Sequence, residues 1–339
     1  MLSRDPTRYE ALASRLAHRD VYHRSDYNEI EARRLGGRAL YAVAEREGAV
    51  LLVPLIERPI GATDARDGTL RDLTMGGGYP SPLHAGEPAT VRRLFDALLD
   101  GLRARGYVSA FLRHNPFVGD SASLVGPTER IGTTVAVALD GGGERRRAAY
   151  RENHRRDLRK AARLGLEVEA KAFAEEDVDA FRALYTETMA RLGAAPAYFL
   201  DRDYFRGLAV SARLDYRLVT ARLDGAVLAR ALFSVSGHVA QYHLGCSSEG
   251  PHRGAASKAV IDAGAELAAA AGCRHLGLGG GVAGAEDELL GFKRGFGPEA
   301  RDVHGSKIVL DGTRYAGLCE GVDGAAGPGP FPAYRRAGG

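Results

Sequence analysis

Residues 215–245 read DYRLVTARLDGAVLARALFSVSGHVAQYHLG, and this stretch decides the fold. Its apolar residues fall into three runs of strand length that are rich in Val, Leu, Tyr and Phe. Asp224-Gly225 separates the first two runs and is a strong signal for a tight β-hairpin. Ser236-Gly237-His238 separates the second run from the third. We therefore predict three consecutive strands, over Asp215–Thr220, Ala226–Val235 and Val239–Gly245.

A helix, a short strand and a second helix follow the three strands. The sequence predicts an Ala-rich helix over Ala255–Ala271 that ends at Gly272, since glycine is common just past a helix C-terminus. A strand over Arg274–Gly279, a glycine cluster and a helix over Glu286–Lys293 come next. One helix, at about Glu175–Leu192, precedes the first strand. The second half of the chain is thus an α/β segment of defined order.

The first half of the chain echoes this order without repeating its sequence. The predicted elements are strands over Arg38–Arg46 and Ala49–Glu57, a helix over Thr90–Arg105, and strands over Tyr107–Arg113 and Thr133–Leu139. No periodicity at the level of single residues accompanies the echo. We predict an α/β (α+β) protein with two similar domains, each with a mixed central sheet flanked by helices.

Glycines mark the boundary between the two halves, because the segment Asp140–Glu144 contains three in a row and is typical of a linker. The predicted first domain is residues 1–140 with about 301–320, since one strand near Ser306–Leu310 is left over after the second half is complete. The predicted second domain is residues 144–300. Residues 321–339 are rich in Gly and Pro and are predicted to be a flexible tail.

Composition excludes several classes of protein. Hydrophobic residues make up 45% and charged residues 26%, so the chain can bury a full core and is not disordered. A formal net charge of +3 is too small for a polycationic protein. Three cysteines without a C-x-x-C pair, and histidines without ligand spacing, predict neither a disulfide framework nor a metal site. No targeting or membrane segment is visible, so we expect a soluble, cytoplasmic protein.

The order of three strands, helix, strand and helix resembles the GNAT acyltransferase fold. In that fold the helix after the third strand offers free N–H groups to an anionic cofactor. The corresponding junction here is Gly250–Lys258, which is similar to a degenerate pyrophosphate loop. Arg253 and the N–H of Gly254 are therefore candidate phosphate ligands. The alternative is an ordinary helix start with a charged first turn.

Six segments resemble the FemABX-type family, whose members carry two tandem GNAT-like domains. The segments are Met75–Pro82, Leu112–Pro116, Tyr150–Ala161, Tyr242–Ser248, Leu276–Gly281 and Asp287–Gly297. The run Phe-Lys-Arg-Gly-Phe-Gly at residues 292–297 is the most specific match. The resemblance spans about residue 20 to about residue 315, and the coiled-coil arm of some family members is absent.

The resemblance implies transfer of an aminoacyl group from charged tRNA to an amine, with formation of a peptide bond. The acceptor would be a peptide, a peptidoglycan precursor or a peptide-like specialised metabolite. Because an aminoacyl ester is already activated, and no Ser/Cys–His pair is evident, we expect direct attack and no cofactor beyond the tRNA co-substrate. Two alternatives stay open. One is an acyl-CoA-dependent N-acyltransferase that uses a donor such as acetyl-CoA, and the other is a non-catalytic tRNA- or peptide-binding module.

Lys293 is the main candidate catalytic residue. A lysine ammonium can stabilise the oxyanion that forms when an amine attacks an ester, and the resemblance implies this role. It also implies that Phe292 packs against the terminal adenine of the tRNA. The alternative is a core pair of Phe292 and Phe296 with Lys293 in solvent. Tyr242 on the third strand is a candidate for orienting the acceptor amine, or an ordinary strand aromatic.

Acceptor-binding candidates come from the resemblance alone. It implies an Arg/Tyr pair in the second half, for which Arg191 and Tyr198 are the candidates, although their spacing departs from the family pattern. In the first half, Tyr79 belongs to the stretch that is similar to the family's Gly-Tyr-x-x-Pro.

Basic residues are concentrated in residues 144–163, which hold nine basic and three acidic side chains. One helical face carries Tyr150, His154, Leu158 and Ala161, which predicts that the arginines point outward. The candidates for contact with tRNA phosphates are Arg151, Arg155 and Arg159. Such binding would weaken with salt. The alternative is a solvated surface helix.

Gly279–Gly284 satisfies the pattern G-x-G-x-x-G. No βαβ repeat follows it, and the next helix is short, so we do not interpret it as a dinucleotide site. A tight crossover that brings backbone close to a ligand is the interpretation that fits its place in the chain.

Overall fold

The computed structural model describes residues 1–16, 19–61, 70–297, 299–323 and 329–338. These residues form two compact units, each with its own hydrophobic core. Unit 1 consists of Met1–Ile131 with Val303–Gly339, and unit 2 of Gly132–Asp302. The boundary falls before the glycine-rich segment Asp140–Glu144, because Val135–Ala138 already pair with a strand of unit 2.

Thirteen strands lie within the described ranges, and two of them cross the boundary between units. Unit 1 opens with β1 (Leu2–Ser3), β2 (Arg38–Arg46), β3 (Ala49–Pro59), β4 (Arg71–Thr74), β5 (Leu83–Ala85) and β6 (Tyr107–His114). Strand β7 (Glu129–Ala138) leads into unit 2, which continues with β8 (Glu167–Ala172), β9 (Tyr216–Leu223), β10 (Ala226–Ser236), β11 (Val239–Ser247) and β12 (His275–Gly279). Strand β13 (Glu299–Val309) leads back into unit 1.

Eleven α-helices accompany the strands in the described parts of the chain. Unit 1 contains α1 (Thr7–Ala13), α2 (Ser25–Arg34), α3 (Pro88–Ala104) and α4 (Ser121–Leu124). Unit 2 contains α5 (Gly142–Ala148), α6 (Glu152–Arg163), α7 (Val178–Arg191), α8 (Arg202–Val210), α9 (Arg253–Ala270) and α10 (Glu288–Lys293). The last helix, α11 (Gly312–Cys319), belongs to unit 1. Short 3₁₀ turns cover Val21–His23, Glu175–Asp177, Pro196–Tyr198, Val282–Gly284 and Ala333–Gly338.

The sheet of unit 1 has the strand order β1-β2-β3-β4-β6-β13, with β5 paired to β3. Neighbouring strands are antiparallel except β4 and β6, which are parallel and are connected through α3. His304–Val309 of β13 pair antiparallel with β6, so the segment near Ser306–Leu310 lies in the first unit. Helix α3 covers the sheet with Val91, Phe95 and Leu102, all buried.

The sheet of unit 2 has the strand order β7-β12-β11-β10-β9-β8. Here too the three consecutive strands β9, β10 and β11 are antiparallel, and only β11 and β12 are parallel, with α9 between them in the chain. Helix α9 packs on this sheet so closely that a Cβ at Gly264 would lie 2.2 Å from the Phe233 ring. The echo between the two halves is therefore a shared topology.

The hairpin turns follow their sequence signals. Asp224 and Gly225 have φ values of 49° and 78°, in the left-handed region that the tight turn between β9 and β10 requires. Glu47 and Gly48, with φ values of 51° and 77°, make the same kind of turn between β2 and β3. The edge strand β8 was not predicted, although its six residues alternate between charged and apolar side chains, and all six are exposed.

The end of the chain differs from the flexible tail predicted for residues 321–339. Ala333 is 2% exposed, and Asp72, fully buried in unit 1, accepts hydrogen bonds from Tyr334 Oη at 3.1 Å and Arg335 Nε at 2.6 Å. Because a buried carboxylate needs partners, this contact fixes the segment in place. Residues 324–328 and 339 of the predicted tail lie outside the described residues.

Candidate functional site

Lys293 is the last residue of α10, and its side chain is buried, with 8% of the residue exposed. Its Nζ donates a hydrogen bond to the carbonyl oxygen of Gly280 at 2.7 Å. Asp287 begins the helix and accepts hydrogen bonds from Leu290 N at 2.8 Å and Val282 N at 2.7 Å. The glycine-rich loop after β12 and the helix that carries Lys293 are thus tied into one piece.

The ammonium of Lys293 is held in an environment that disfavours charge. Burial lowers the pKa of Lys293 to about 8, and the negative charge of Asp287 opposes this shift. A group with this pKa exchanges its proton near neutral pH. It can therefore donate a hydrogen bond to developing negative charge or take up a proton, as positioned catalytic groups do.

Phe292 forms the core pair that one of the two sequence interpretations expected. Its half-buried ring packs at 5.5 Å between centroids from Phe296, which is 1% exposed and belongs to the core of unit 2. The core pair is therefore present, but Lys293 is buried and not in solvent as that alternative expected. Aromatic stacking of Phe292 on a nucleotide stays a prediction.

Tyr242 lies where β11 departs from regular pairing with β10. The register shifts at this point, with Leu232 opposite Leu244 but Phe233 opposite Tyr242. Gly245 leaves room for the phenol, because a Cβ there would lie 1.8 Å from the Tyr242 Oη. Burial raises the pKa of Tyr242 well above its usual range, so its hydroxyl is a hydrogen-bond donor. Its contact with an acceptor amine stays a prediction.

Arg191 ends α7 and is anchored on β11. Its Nη2 donates to the Ser247 carbonyl at 2.8 Å, and Glu187 lies 3.8 Å from its Nη1. Its Nε and Nη1 are buried without a hydrogen bond, as is Nε of Arg230 on β10, within the part of the chain that the structure describes. Unsatisfied buried guanidinium groups favour an anionic ligand.

Sequence reasoning missed Arg230, which the strand pairing places directly opposite Cys246. Both Arg230 and Arg191 lower the pKa of the Cys246 thiol, although burial outweighs them and raises it to about 12. The thiol is therefore protonated and a poor nucleophile. A lone arginine in an alternating strand gives no signal that it shares a site with a helix residue.

Tyr198, the predicted partner of Arg191, lies at the end of a 3₁₀ turn and is 39% exposed. The described residues show no hydrogen bond between its hydroxyl and Arg191. The paired role of these two residues stays a prediction.

The start of α9 is open to an anion. His252 precedes the helix and gives no side-chain cap, and both Arg253 and Gly254 are exposed. The corresponding helix of unit 1, α3, is closed, because the Glu87 carboxylate accepts hydrogen bonds from Ala89 N at 3.0 Å and Thr90 N at 2.8 Å. Of these two helices, only α9 presents uncapped N–H groups beside a basic residue.

The arginine-rich segment is two helices, α5 and α6, with a break at Ala149–Arg151. The expectation that all its arginines point outward is wrong for Arg146, whose side chain is 1% exposed, whereas the Arg147 side chain is 47% exposed. Both form ion pairs with Glu266 of α9, and Arg147 also pairs with Asp262. Acidic residues on α9 attract these side chains, a long-range contact that the local charge pattern does not reveal.

The three candidates on α6 differ in their surroundings. Arg155 and Arg159 are 40% and 58% exposed at the side chain, and both contact the exposed Glu152, at 2.7 Å and 2.6 Å. Arg151 instead donates from Nη1 to the Gly291 carbonyl at 3.2 Å. Arg155 and Arg159 are therefore the two candidates that pair with an exposed carboxylate, and contact of all three arginines with tRNA phosphates stays a prediction.

Tyr79 belongs to unit 1, in a loop held by buried polar groups. Gly77 N donates to Glu31 Oε2 at 2.6 Å, and Arg113 Nη1 donates to the Gly78 carbonyl at 3.3 Å. The Tyr79 ring packs edge-on against Tyr22, with centroids 6.0 Å apart. The loop has a fixed conformation, and acceptor binding by Tyr79 stays a prediction.

Comparison with known proteins supports the fold. Residues 148–294 match the family described as acetyltransferase (GNAT) domain. The crystal structure of FemX is similar over 92% of this chain and 98% of its own, with a TM-score of 0.70 and 14% sequence identity. A conserved protein of unknown function from Bacteroides thetaiotaomicron covers 91% of this chain and 99% of its own, with a TM-score of 0.56 and 12% identity. No curated protein sequence matches the chain significantly.

The predicted fold of two tandem GNAT-like domains with mixed sheets is therefore confirmed, and the resemblance to FemABX-type proteins holds at the level of the fold. The same findings support an acyltransferase of the GNAT type. Among the residues that the structure covers, no helix is long and apolar enough to cross a membrane. Nor do those residues contain a cluster of three His, Cys, Asp or Glu side chains able to hold a metal ion.

The buried ammonium of Lys293 should appear in the pH dependence of stability. Because its pKa is about 8 in the folded protein and about 10.4 in an unfolded chain, the unfolded state holds the extra proton between these values. Stability therefore rises with pH across this window. Between about pH 7.5 and about pH 10, the free energy of unfolding of wild type should rise by roughly 1–3 kcal/mol more than that of Lys293→Met.

Equilibrium unfolding in urea at several pH values measures this difference. The variant Lys160→Met, which removes an accessible lysine of α6, serves as the control and should follow wild type. An identical pH dependence in wild type and Lys293→Met would show that Lys293 is not held in a desolvated site.

Proposed function

We propose that this protein is an aminoacyltransferase that moves an aminoacyl group from aminoacyl-tRNA to an amine and forms an amide bond. The acceptor would be a peptide, a peptidoglycan precursor or a peptide-like specialised metabolite. The observation that carries the proposal is the buried Lys293 beside Phe292, at the end of α10, in a chain with the fold of FemX.

The proposed reaction is direct attack by the acceptor nitrogen on the ester carbon of the donor. The new C–N bond forms as the ester C–O bond breaks, and the tRNA hydroxyl leaves with a proton from the amine. Lys293 would donate a hydrogen bond to the oxyanion in between, exchanging its contact with the Gly280 carbonyl for one with the substrate. The protonated thiol of Cys246 agrees with a path that has no covalent enzyme intermediate.

The other candidates take supporting roles in this proposal. Tyr242, a hydrogen-bond donor on β11, would orient the acceptor amine. Arg191, with unsatisfied guanidinium nitrogens, would bind an anionic group of the acceptor, and Tyr198 and Tyr79 would contact the rest of it. Donor phosphates would lie at the uncapped start of α9, near Arg253 and Gly254.

An acyl-CoA-dependent N-acyltransferase is the second candidate function. Two observations favour it: the match of residues 148–294 to the acetyltransferase (GNAT) domain, and the same open start of α9, which suits any pyrophosphate. In this case acetyl-CoA or a related thioester would be the acyl donor in place of charged tRNA.

An amide-formation assay distinguishes the donors. Purified protein is incubated with total charged tRNA and a panel of amine acceptors, with and without prior ribonuclease, and in parallel with acetyl-CoA. We expect product with charged tRNA and its loss after ribonuclease. Product with acetyl-CoA alone would support the second candidate, and binding of tRNA or peptide without any product would indicate a non-catalytic binding module.

Replacement of Lys293 by alanine should reduce turnover strongly. Loss of one oxyanion donor typically costs roughly a hundredfold or more in kcat, with a much smaller effect on KM. Steady-state kinetics of Lys293→Ala against wild type measure this effect. Lys171→Ala on the exposed strand β8 is the matched control and should retain wild-type turnover. Near-normal kcat in a folded Lys293→Ala protein would remove the proposed role.

Binding of charged tRNA should depend on the exposed side chains of Arg155 and Arg159 on α6. Each phosphate contact that is lost should lower the slope of log K against log salt by roughly one. We therefore expect weaker binding and a shallower slope for the double variant Arg155→Gln/Arg159→Gln in a salt titration. The control Arg202→Gln/Arg206→Gln removes the same charge from α8, where both arginines are also ion-paired and half exposed. Equal behaviour of the two double variants would mean that α6 is only a solvated face.

A further inference from the structure

The turn that carries Lys293 is attached to the start of α6 by three hydrogen bonds. Arg151 N donates to the Gly295 carbonyl at 2.8 Å, and Arg151 Nη1 donates to the Gly291 carbonyl at 3.2 Å. His154 Nε2 lies 3.0 Å from the Phe292 carbonyl oxygen. Since a carbonyl only accepts, the ring must carry its proton on Nε2 and donate it. The contact at Phe292 holds the peptide unit that joins Phe292 to Lys293.

The imidazole of His154 is enclosed on several sides. The residue is 2% exposed, and its ring lies 5.4 Å from the Phe292 ring and 4.5 Å from the Phe296 ring, centroid to centroid. Gly295 faces it so closely that a Cβ would lie 2.2 Å from its Cε1. The absence of a side chain at Gly295 therefore admits the ring, and the ring fills the space.

Burial and the nearby positive charges favour the neutral form of the His154 ring. Burial lowers the pKa of His154, and the positive charges of Lys258 and Arg151 lower it further, whereas the Phe292 carbonyl and Asp157 raise it. A neutral ring has one N–H, and the Phe292 carbonyl receives it. Nδ1, which lies 2.9 Å from the Asn153 side-chain amide, then accepts a hydrogen bond, which requires that amide to turn its NH2 group toward the ring. The hydrogen bond to the Phe292 carbonyl is therefore kept through the pH range in which Lys293 titrates.

We propose that His154 is a positioning residue for Lys293: by fixing the Phe292–Lys293 peptide unit, it sets where the lysine side chain starts and where its ammonium lies. The inference rests on the proposed catalytic role of Lys293, and it adds a residue from a different helix to that site. The Phe292 carbonyl also accepts a hydrogen bond from Gly295 N, within the same turn, at 3.0 Å. The hydrogen bond from His154 is therefore the one that connects this carbonyl to a different helix.

The Lys293 ammonium has two further restraints, the Gly280 carbonyl at 2.7 Å and the charge of Asp287. These two restraints act on the Nζ end of the side chain, whereas His154 acts on the backbone from which the side chain starts. Loss of this backbone restraint should let water reach the ammonium without unfolding the unit. The burial that lowers the pKa of Lys293 would then be relieved.

Competitive labelling with acetic anhydride tests the inference without any assumption about the reaction. The fraction of Lys293 that is acetylated at each pH, measured by peptide mass spectrometry, gives the pKa of that lysine. Wild type should titrate at about 8. His154→Ala should titrate nearer the ordinary value of about 10.4, and His154→Gln, which keeps an N–H donor of similar reach, should stay close to wild type.

Two more variants separate positioning from packing. Leu158→Ala removes a half-buried side chain one turn beyond His154 on the same face of α6, which packs against Ala161, Ala255 and Ala259 and against the core of unit 2. Because Leu158 makes no hydrogen bond to the Phe292–Lys293 peptide unit, this variant removes packing alone and should leave the Lys293 titration unchanged. Gly295→Ala should displace the His154 ring and act like His154→Ala, and in the His154→Ala background it should add little, because the clash is gone.

Turnover supplies the second readout. A misplaced catalytic group typically costs about tenfold to a hundredfold in kcat with little change in KM. We expect this loss in His154→Ala and Gly295→Ala, with recovery in His154→Gln.

If His154→Ala and Gly295→Ala titrate and turn over as Leu158→Ala does, the inference is overturned. If the titrations shift as expected but wild type transfers no aminoacyl group, the positioning of Lys293 by His154 stands and the proposed function fails. If His154→Ala does not fold, His154→Gln and Gly295→Ala give the same decision.

Discussion

Burial of the Lys293 ammonium is the constraint on which the candidate site depends. A buried cation is costly unless nearby polar groups compensate it, and here the Gly280 carbonyl and Asp287 do so. The carbonyl can reach the ammonium because the loop after β12 runs tightly against β7, where a Cβ at Gly280 would lie 2.2 Å from the Thr133 carbonyl. The glycine cluster that mimics a dinucleotide motif therefore serves close packing of backbone around a lysine.

The shared topology of the two units carries an asymmetry with functional consequences. In each unit a helix leads to a strand that pairs in parallel, α3 to β6 and α9 to β12, although in unit 1 the short strand β5 precedes the helix. A helix start in this place is a ready site for anions. Unit 1 closes it with the carboxylate of Glu87, whereas unit 2 leaves it open beside Arg253. The two helix starts thus differ in one respect, a side-chain cap from Glu87 on α3 and none on α9, and unit 2 is also the one that holds the buried lysine.

Local signals predicted the secondary structure around the site closely. Asp224-Gly225 fixed the hairpin because two consecutive left-handed residues suit Asp and Gly, and Gly272 ended α9 as a C-terminal glycine. The edge strand β8 was not predicted, because its alternating residues include only one large apolar side chain, Val168, and all six are exposed. The partners of the predicted site residues were not predicted either. Arg230 and Cys246 meet through strand pairing, and His154 meets Phe292 across 138 positions of the chain.

The sequence by itself determined the order of β9, β10, β11, α9, β12 and α10, the hairpin turn at Asp224-Gly225 and the residue types present for chemistry. These features follow from hydrophobic periodicity and turn preferences within a few residues. Only the tertiary structure decided which arginine and lysine side chains are ion-paired, exposed or buried. It paired Arg146 and Arg147 with Glu266 of α9, left Arg155 and Arg159 exposed, and buried Lys293. The physical reason is that desolvation and ion pairing depend on neighbours brought together by folding, and no local pattern specifies those neighbours.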